Sequence, residues 1–139
     1  MKNLKFFYLF AFLFVGLIVI PSCGDDDTSD ETNSISITIE EPIDGENIAM
    51  TNCADIHIHV DIEASVENHE VEIILHPEGD VNDKIIDWDM HDHDKLLTME
   101  QEVDLCSYPA GTCFHLEVVA CVDHDCEETA TADAEFCLQ

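Results

Sequence analysis

Apolar and polar residues alternate along most of the chain after residue 34, and that two-residue period marks half-buried strands. The clearest case spans residues 55–64. Ile56, Ile58, Val60 and Ile62 take one face, while Asp55, His57, His59, Asp61 and Glu63 take the other. Such a strand sets one face on a core and the other in water, as antiparallel sheets commonly do. Before it, Ile35, Ile37 and Ile39 alternate with hydroxyl residues, and residues 42–45 read as a turn. After it, Val71, Ile73 and Leu75 face inward from a strand over 70–76, which Pro77-Glu78-Gly79-Asp80 ends. Residues 84–90 read as an edge strand with Ile86, Trp88 and Met90 on one side. Residues 97–105 alternate again, and Tyr108-Pro109-Ala110-Gly111 is a turn. Phe114, Leu116, Val118, Ala120 and Val122 define the next inward face. Beyond the Asp123-His124-Asp125 turn, Ala130, Ala132, Ala134, Phe136 and Leu138 supply the last. Nothing longer than a turn carries a helical period. About seven short strands separated by turn signals predict an all-β, two-sheet antiparallel sandwich.

The first 34 residues break this pattern. Met1, Lys2 and Lys5 lead into an apolar run over 6–20 that ends at Pro21-Ser22-Cys23, the layout of a secretory signal. The run is too short for a comfortable membrane span, and no second one follows. Residues 24–34 are Gly, Asp, Ser, Thr, Glu and Asn, with no apolar periodicity, as expected of a solvated tether. The expected organisation is a signal peptide over 1–22, an acidic, disordered tether over 23–34, and one domain over 35–139.

Charge narrows the function. The chain holds 32 acidic residues against four lysines and no arginine, a formal net charge of −28. Two of the lysines lie in the leader, so the mature chain keeps only Lys84 and Lys95. That balance repels nucleic acid and anionic lipid headgroups, and nucleic-acid binding is excluded. Beyond Cys23, six cysteines remain: Cys53, Cys106, Cys113, Cys121, Cys126 and Cys137. An even number in a small exported domain reads as a disulfide framework, with fifteen connectivities open. A zinc cluster would favour paired C-x-x-C knuckles, which these spacings lack.

Two resemblances add to this reading. Cys23 after a small residue, followed by Asp25-Asp26-Asp27, resembles the lipobox and acidic surface-export signal of Bacteroidota lipoproteins. Residues Pro109-Ala110-Gly111-Thr112-Cys113-Phe114-His115-Leu116 and Val119-Ala120-Cys121-Val122-Asp123 resemble the last strand pair of bacterial immunoglobulin-like domains. Over residues 35–138 the chain is similar to a family of Bacteroidota surface lipoproteins with an immunoglobulin-like domain. Where that family tends to have Gly-Asn in the last hairpin, this chain has Cys126-Glu127, so a disulfide stands in for the glycine turn. The resemblance implies a lipid on Cys23, an outer-membrane, cell-surface location and an immunoglobulin-like fold. It implies no activity.

In immunoglobulin-like order the strand at 55 pairs with the one at 97. Strand parity then sets Cys53 with Cys106 and Cys113 with Cys137, all facing outward, while Cys121 and Cys126 flank a hairpin. The competing arrangement is Cys106–Cys113 with Cys53–Cys137.

Candidate chemistry rests on two H-x-H pairs. His57 and His59 share the solvent face of one strand, with His57 opposite Glu102 and His59 opposite Glu100 in the proposed pairing. Imidazole suits zinc and copper. The bland reading is a set of cross-strand His–Glu pairs. His91 and His93 sit among aspartates in a polar link. A single site of His57, His59, His91 and His93 would need that link to fold back. No aspartate run matches a calcium loop, and Ser107 lacks a nucleophile-elbow setting. His115 is expected to face Glu135, and Trp88 to anchor the core or an edge. The expected function is a lipid-anchored, non-catalytic surface module whose partner is an envelope protein, a glycan or a metal ion. The alternative is a zinc- or copper-binding lipoprotein using these histidines with Glu100 and Glu102.

Overall fold

A computed structural model describes residues 32–139; the leader, Cys23 and the acidic residues up to 31 lie outside the described residues. Among the described residues, eight strands form two sheets. β1 (Ile35–Glu41), β3 (Ile56–Ala64) and β6 (Leu96–Val103) make a three-stranded sheet in the order β1-β3-β6. β2 (Glu46–Ile48), β8 (Thr129–Leu138), β7 (Cys113–Cys121), β4 (Glu70–Pro77) and β5 (Ile86–His91) make the other, in the order β2-β8-β7-β4-β5. The grouping is that of an immunoglobulin-like sandwich, with β4, β7 and β8 in the places of its C, F and G strands.

The predicted alternation places the core. Ile58, Val60 and Ile62 of β3 are buried against Val71, Ile73 and Leu75 of β4 and against Phe114, Leu116 and Val118 of β7. Phe114 stacks on Phe136 at 5.3 Å between centroids, and Tyr108 meets Phe114 edge-on at 5.1 Å. Trp88 packs, partly buried, at the margin of this cluster.

The three disulfides are Cys53–Cys106, Cys113–Cys137 and Cys121–Cys126, the pairs implied by immunoglobulin-like order. Cys113 and Cys137 are register partners on β7 and β8. Cys53 differs from expectation in being 5% exposed rather than outward. It closes a short 3₁₀ turn (Met50–Asn52) that precedes β3, and strand parity does not reach into a turn. The Cys113–Cys137 bridge stays within one sheet, Cys53–Cys106 joins the turn before β3 to the segment after β6, and Cys121–Cys126 closes a hairpin. Holding the sheets face to face therefore falls mainly to the apolar core.

Two further departures involve short segments. β2 was not foreseen: its three residues pair parallel to β8, matching Ile48 with Leu138. Three residues are too few to show a period, and the pairing partner lies at the other end of the chain. The domain's own contacts also begin inside the expected tether, because Asn33 and Ser34 hydrogen-bond to residues 65–67.

Candidate functional site

Strand order gathers chemistry at one end of the five-stranded sheet. β4 lies between β7 and β5 and runs antiparallel to both. The start of β4 therefore meets the ends of β5 and β7. His69 immediately precedes β4, His91 ends β5, His93 follows it, and His124 lies in the hairpin after β7. Their rings form a closed circuit: His69–His93 at 5.9 Å, His93–His91 at 4.8 Å, His91–His124 at 6.2 Å and His124–His69 at 5.7 Å.

The backbone beneath them is interlocked. Asp92 N donates to the His69 carbonyl at 2.9 Å, tying the end of β5 to the start of β4. Asn68 donates through Nδ2 to the Asp94 carbonyl at 2.7 Å, and Asp92 accepts from Asp94 N at 2.7 Å. In the hairpin, Asp123 accepts from Glu127 N at 2.9 Å and Glu128 N at 3.1 Å, while Cys121–Cys126 closes the loop. Cys126 adopts a positive φ of 53°, the conformation that a Gly-Asn hairpin would otherwise provide. Asn33 bonds both the Glu67 carbonyl at 2.7 Å and the Val122 carbonyl at 2.9 Å, so the incoming chain fastens two of the three segments.

His91, His93 and His124 are exposed and His69 is half-buried. Glu67 Oε2 lies 3.3 Å from His93 Nδ1. One donor atom each from Glu67, His69 and His93 lie within 4.8 Å of one another. Among the described residues, His69 Nδ1 and Asn68 Oδ1 are buried without a hydrogen-bond partner. Leaving such a group unsatisfied costs about 1–3 kcal/mol. Glu70 also approaches Cys121 and Cys126, but disulfide sulfurs carry no thiolate and do not ligate.

The other predicted site residues lie elsewhere. His57 and His59 stand on β3 in the three-stranded sheet, with rings 6.0 Å apart, so the two H-x-H pairs belong to different sheets. Register places His57 opposite Glu102 and His59 opposite Glu100, as expected. His57 nevertheless turns to Glu41, with Nδ1 3.0 Å from Oε2. The reason is that β3 has a neighbour on each side, and Glu41 on β1 reaches the ring from the other flank. His59 lies 3.6 Å from Asp61 and 3.9 Å from Glu100. These are half-exposed histidine–carboxylate pairs on the outer face of the sheet, each worth roughly 0–1 kcal/mol. His115 sits opposite Glu135 in register and contacts Asp133 at 3.8 Å. Cys23 lies outside the described residues.

His69 and His124 were the residues that sequence reasoning passed over. Neither belongs to an H-x-H pair. Their signal is positional, each flanking a strand that the sandwich topology makes adjacent. No protein-family model matches the chain, and no curated protein sequence matches it.

Proposed function

We propose that this chain is an exported, lipid-anchored surface module that acts by binding rather than catalysis, through the histidine-bearing end of its five-stranded sheet. The observation that carries this reading is the meeting of four imidazoles from three separate segments on a hydrogen-bonded backbone. Solubility needs no such gathering, because the acidic surface already supplies it. Export and anchoring are supported by the leader, by Cys23 and by the aspartates behind it. The intended location is the outer face of an outer membrane, as in the Bacteroidota lipoproteins the chain resembles.

Two experiments test the reading. Cys23→Ser should release the chain from the membrane fraction; a variant that still fractionates with membranes rules out the lipid anchor. His91→Ala combined with His124→Ala should leave the denaturant midpoint unchanged, since both side chains are exposed and hold no core contact. A loss well beyond about 1 kcal/mol would instead make these histidines structural.

A further inference from the structure

We propose that His69, His91, His93 and His124, with Glu67, form a binding site for one divalent transition ion of zinc(II) or copper(II) character. The inference rests on reading this end as a binding surface and is independent of the lipid anchor.

Ring spacing is the first argument. An imidazole nitrogen binds these ions at about 2.0–2.1 Å, which puts each ring centroid roughly 3.2 Å from the metal. Two rings on one ion in a tetrahedral arrangement then lie about 5 Å apart. The four neighbouring spacings of 4.8–6.2 Å lie around that value, while the donor atoms already gathered are those of Glu67, His69 and His93, and exposed His91 and His124 would join them by rotation. Donor atoms on one tetrahedral ion are about 3.4 Å apart. The Glu67, His69 and His93 donors, now within 4.8 Å, close that difference by side-chain rotation, for which exposed His93 has room.

The second argument is the unpartnered Nδ1 of His69. A buried ring nitrogen with no protein partner is costly, and a cation on its lone pair removes the cost. Glu67 beside His93 Nδ1 serves in one of two ways. It either ligates directly or fixes the His93 tautomer so that Nε2 faces the ion.

Donor chemistry selects the ion. The domain's six cysteines are all in disulfides, so no thiolate is offered to a soft ion. Calcium and magnesium take oxygen cages, whereas imidazoles suit zinc(II) and copper(II). Asp92, Asp94 and Asp123 are chain neighbours of His91, His93 and His124, and a chain of net charge −28 draws cations.

The test uses the full lipoprotein, purified in detergent without a histidine tag, stripped with chelator and titrated separately with zinc(II), copper(II) and calcium(II). The expected result is one equivalent of zinc or copper and no matching calcium binding. The stronger of the two affinities names the ion, and copper should show nitrogen hyperfine structure in its electron paramagnetic resonance spectrum. His91→Ala with His93→Ala should weaken binding by roughly 100-fold while the unfolding midpoint of the metal-free protein stays put. His57→Ala with His59→Ala should change affinity by less than about twofold. Failure of zinc and copper to bind overturns the metal assignment, as does binding that survives loss of His91 and His93 or vanishes with His57 and His59. A loss of stability in the His91→Ala and His124→Ala variant would separately overturn the reading of this end as a binding surface.

Discussion

The side-chain amide of Asn33 donates a hydrogen bond to the Val122 carbonyl at 2.9 Å, across 89 residues of sequence. The same nitrogen donates to the Glu67 carbonyl at 2.7 Å, and its oxygen accepts from Val66 N at 3.1 Å. One side chain thus holds the β3–β4 link against the end of β7. Replacement by alanine strips partners from three partly buried backbone groups. Asn33→Ala should cost about 1–3 kcal/mol, read from denaturant unfolding followed by Trp88 fluorescence. A midpoint equal to wild type would show that this end is held by other contacts.

The disulfides should rank by the chain they close. Their sequence separations are 53, 24 and 5. Loop-closure entropy gives about 4 kcal/mol for Cys53–Cys106, about 3.5 for Cys113–Cys137 and about 2 for Cys121–Cys126. Paired alanine substitutions, compared by urea midpoint, should follow that order. The third pair should also loosen the hairpin bearing His124, so its metal affinity should fall even though its stability loss is the smallest.

Core and surface substitutions should separate sharply. Phe136 is fully buried against Phe114, whereas Leu96 is 60% exposed at the start of β6. Phe136→Ala should destabilise the domain by about 3–5 kcal/mol, and Leu96→Ala should stay within roughly 0.5 kcal/mol. Similar losses at both positions would contradict the inward and outward assignment of the strands.

Tyr108 provides an alkaline marker. Burial raises its phenol above the ordinary tyrosine value, reinforced by its hydrogen bond to Asp83 at 2.9 Å and the negative charge of Asp83 and Asp80. The folded state therefore holds the phenolic proton more tightly than the unfolded chain does. Its stabilising contribution is complete below the ordinary value of about 10 and is lost as pH rises through the raised one. The chain has two tyrosines, and the other, Tyr8, lies outside the described residues. Ultraviolet absorbance of a chain carrying Tyr8→Phe should therefore titrate a single phenol at a higher pH than after denaturation. Tyr108→Phe should flatten the fall in stability over that range.

The strands were legible because burial on one face writes itself into the sequence every second residue. Ile56 through Ile62 and Phe114 through Val118 are core positions, and their polar neighbours lie outward. Parity combined with immunoglobulin-like order also carried the disulfide pairs. Where neither period nor parity operates, the sequence was silent. β2 is too short for a pattern, Cys53 lies in a turn, and the choice by His57 of Glu41 over Glu102 depends on which flank of β3 is nearer.

The candidate site divides along the same line. The H-x-H spacing drew attention to His57 and His59, yet they remain solvent-facing beside carboxylates on the three-stranded sheet. His69 and His124 carry no local motif and join His91 and His93 only because β4 runs between β5 and β7. The sequence by itself determined the class of fold, the acidic character and the supply of imidazoles. Only the tertiary structure decided which imidazoles meet, because alternation records whether a residue faces the core, whereas neighbours across strand ends are set by sheet order.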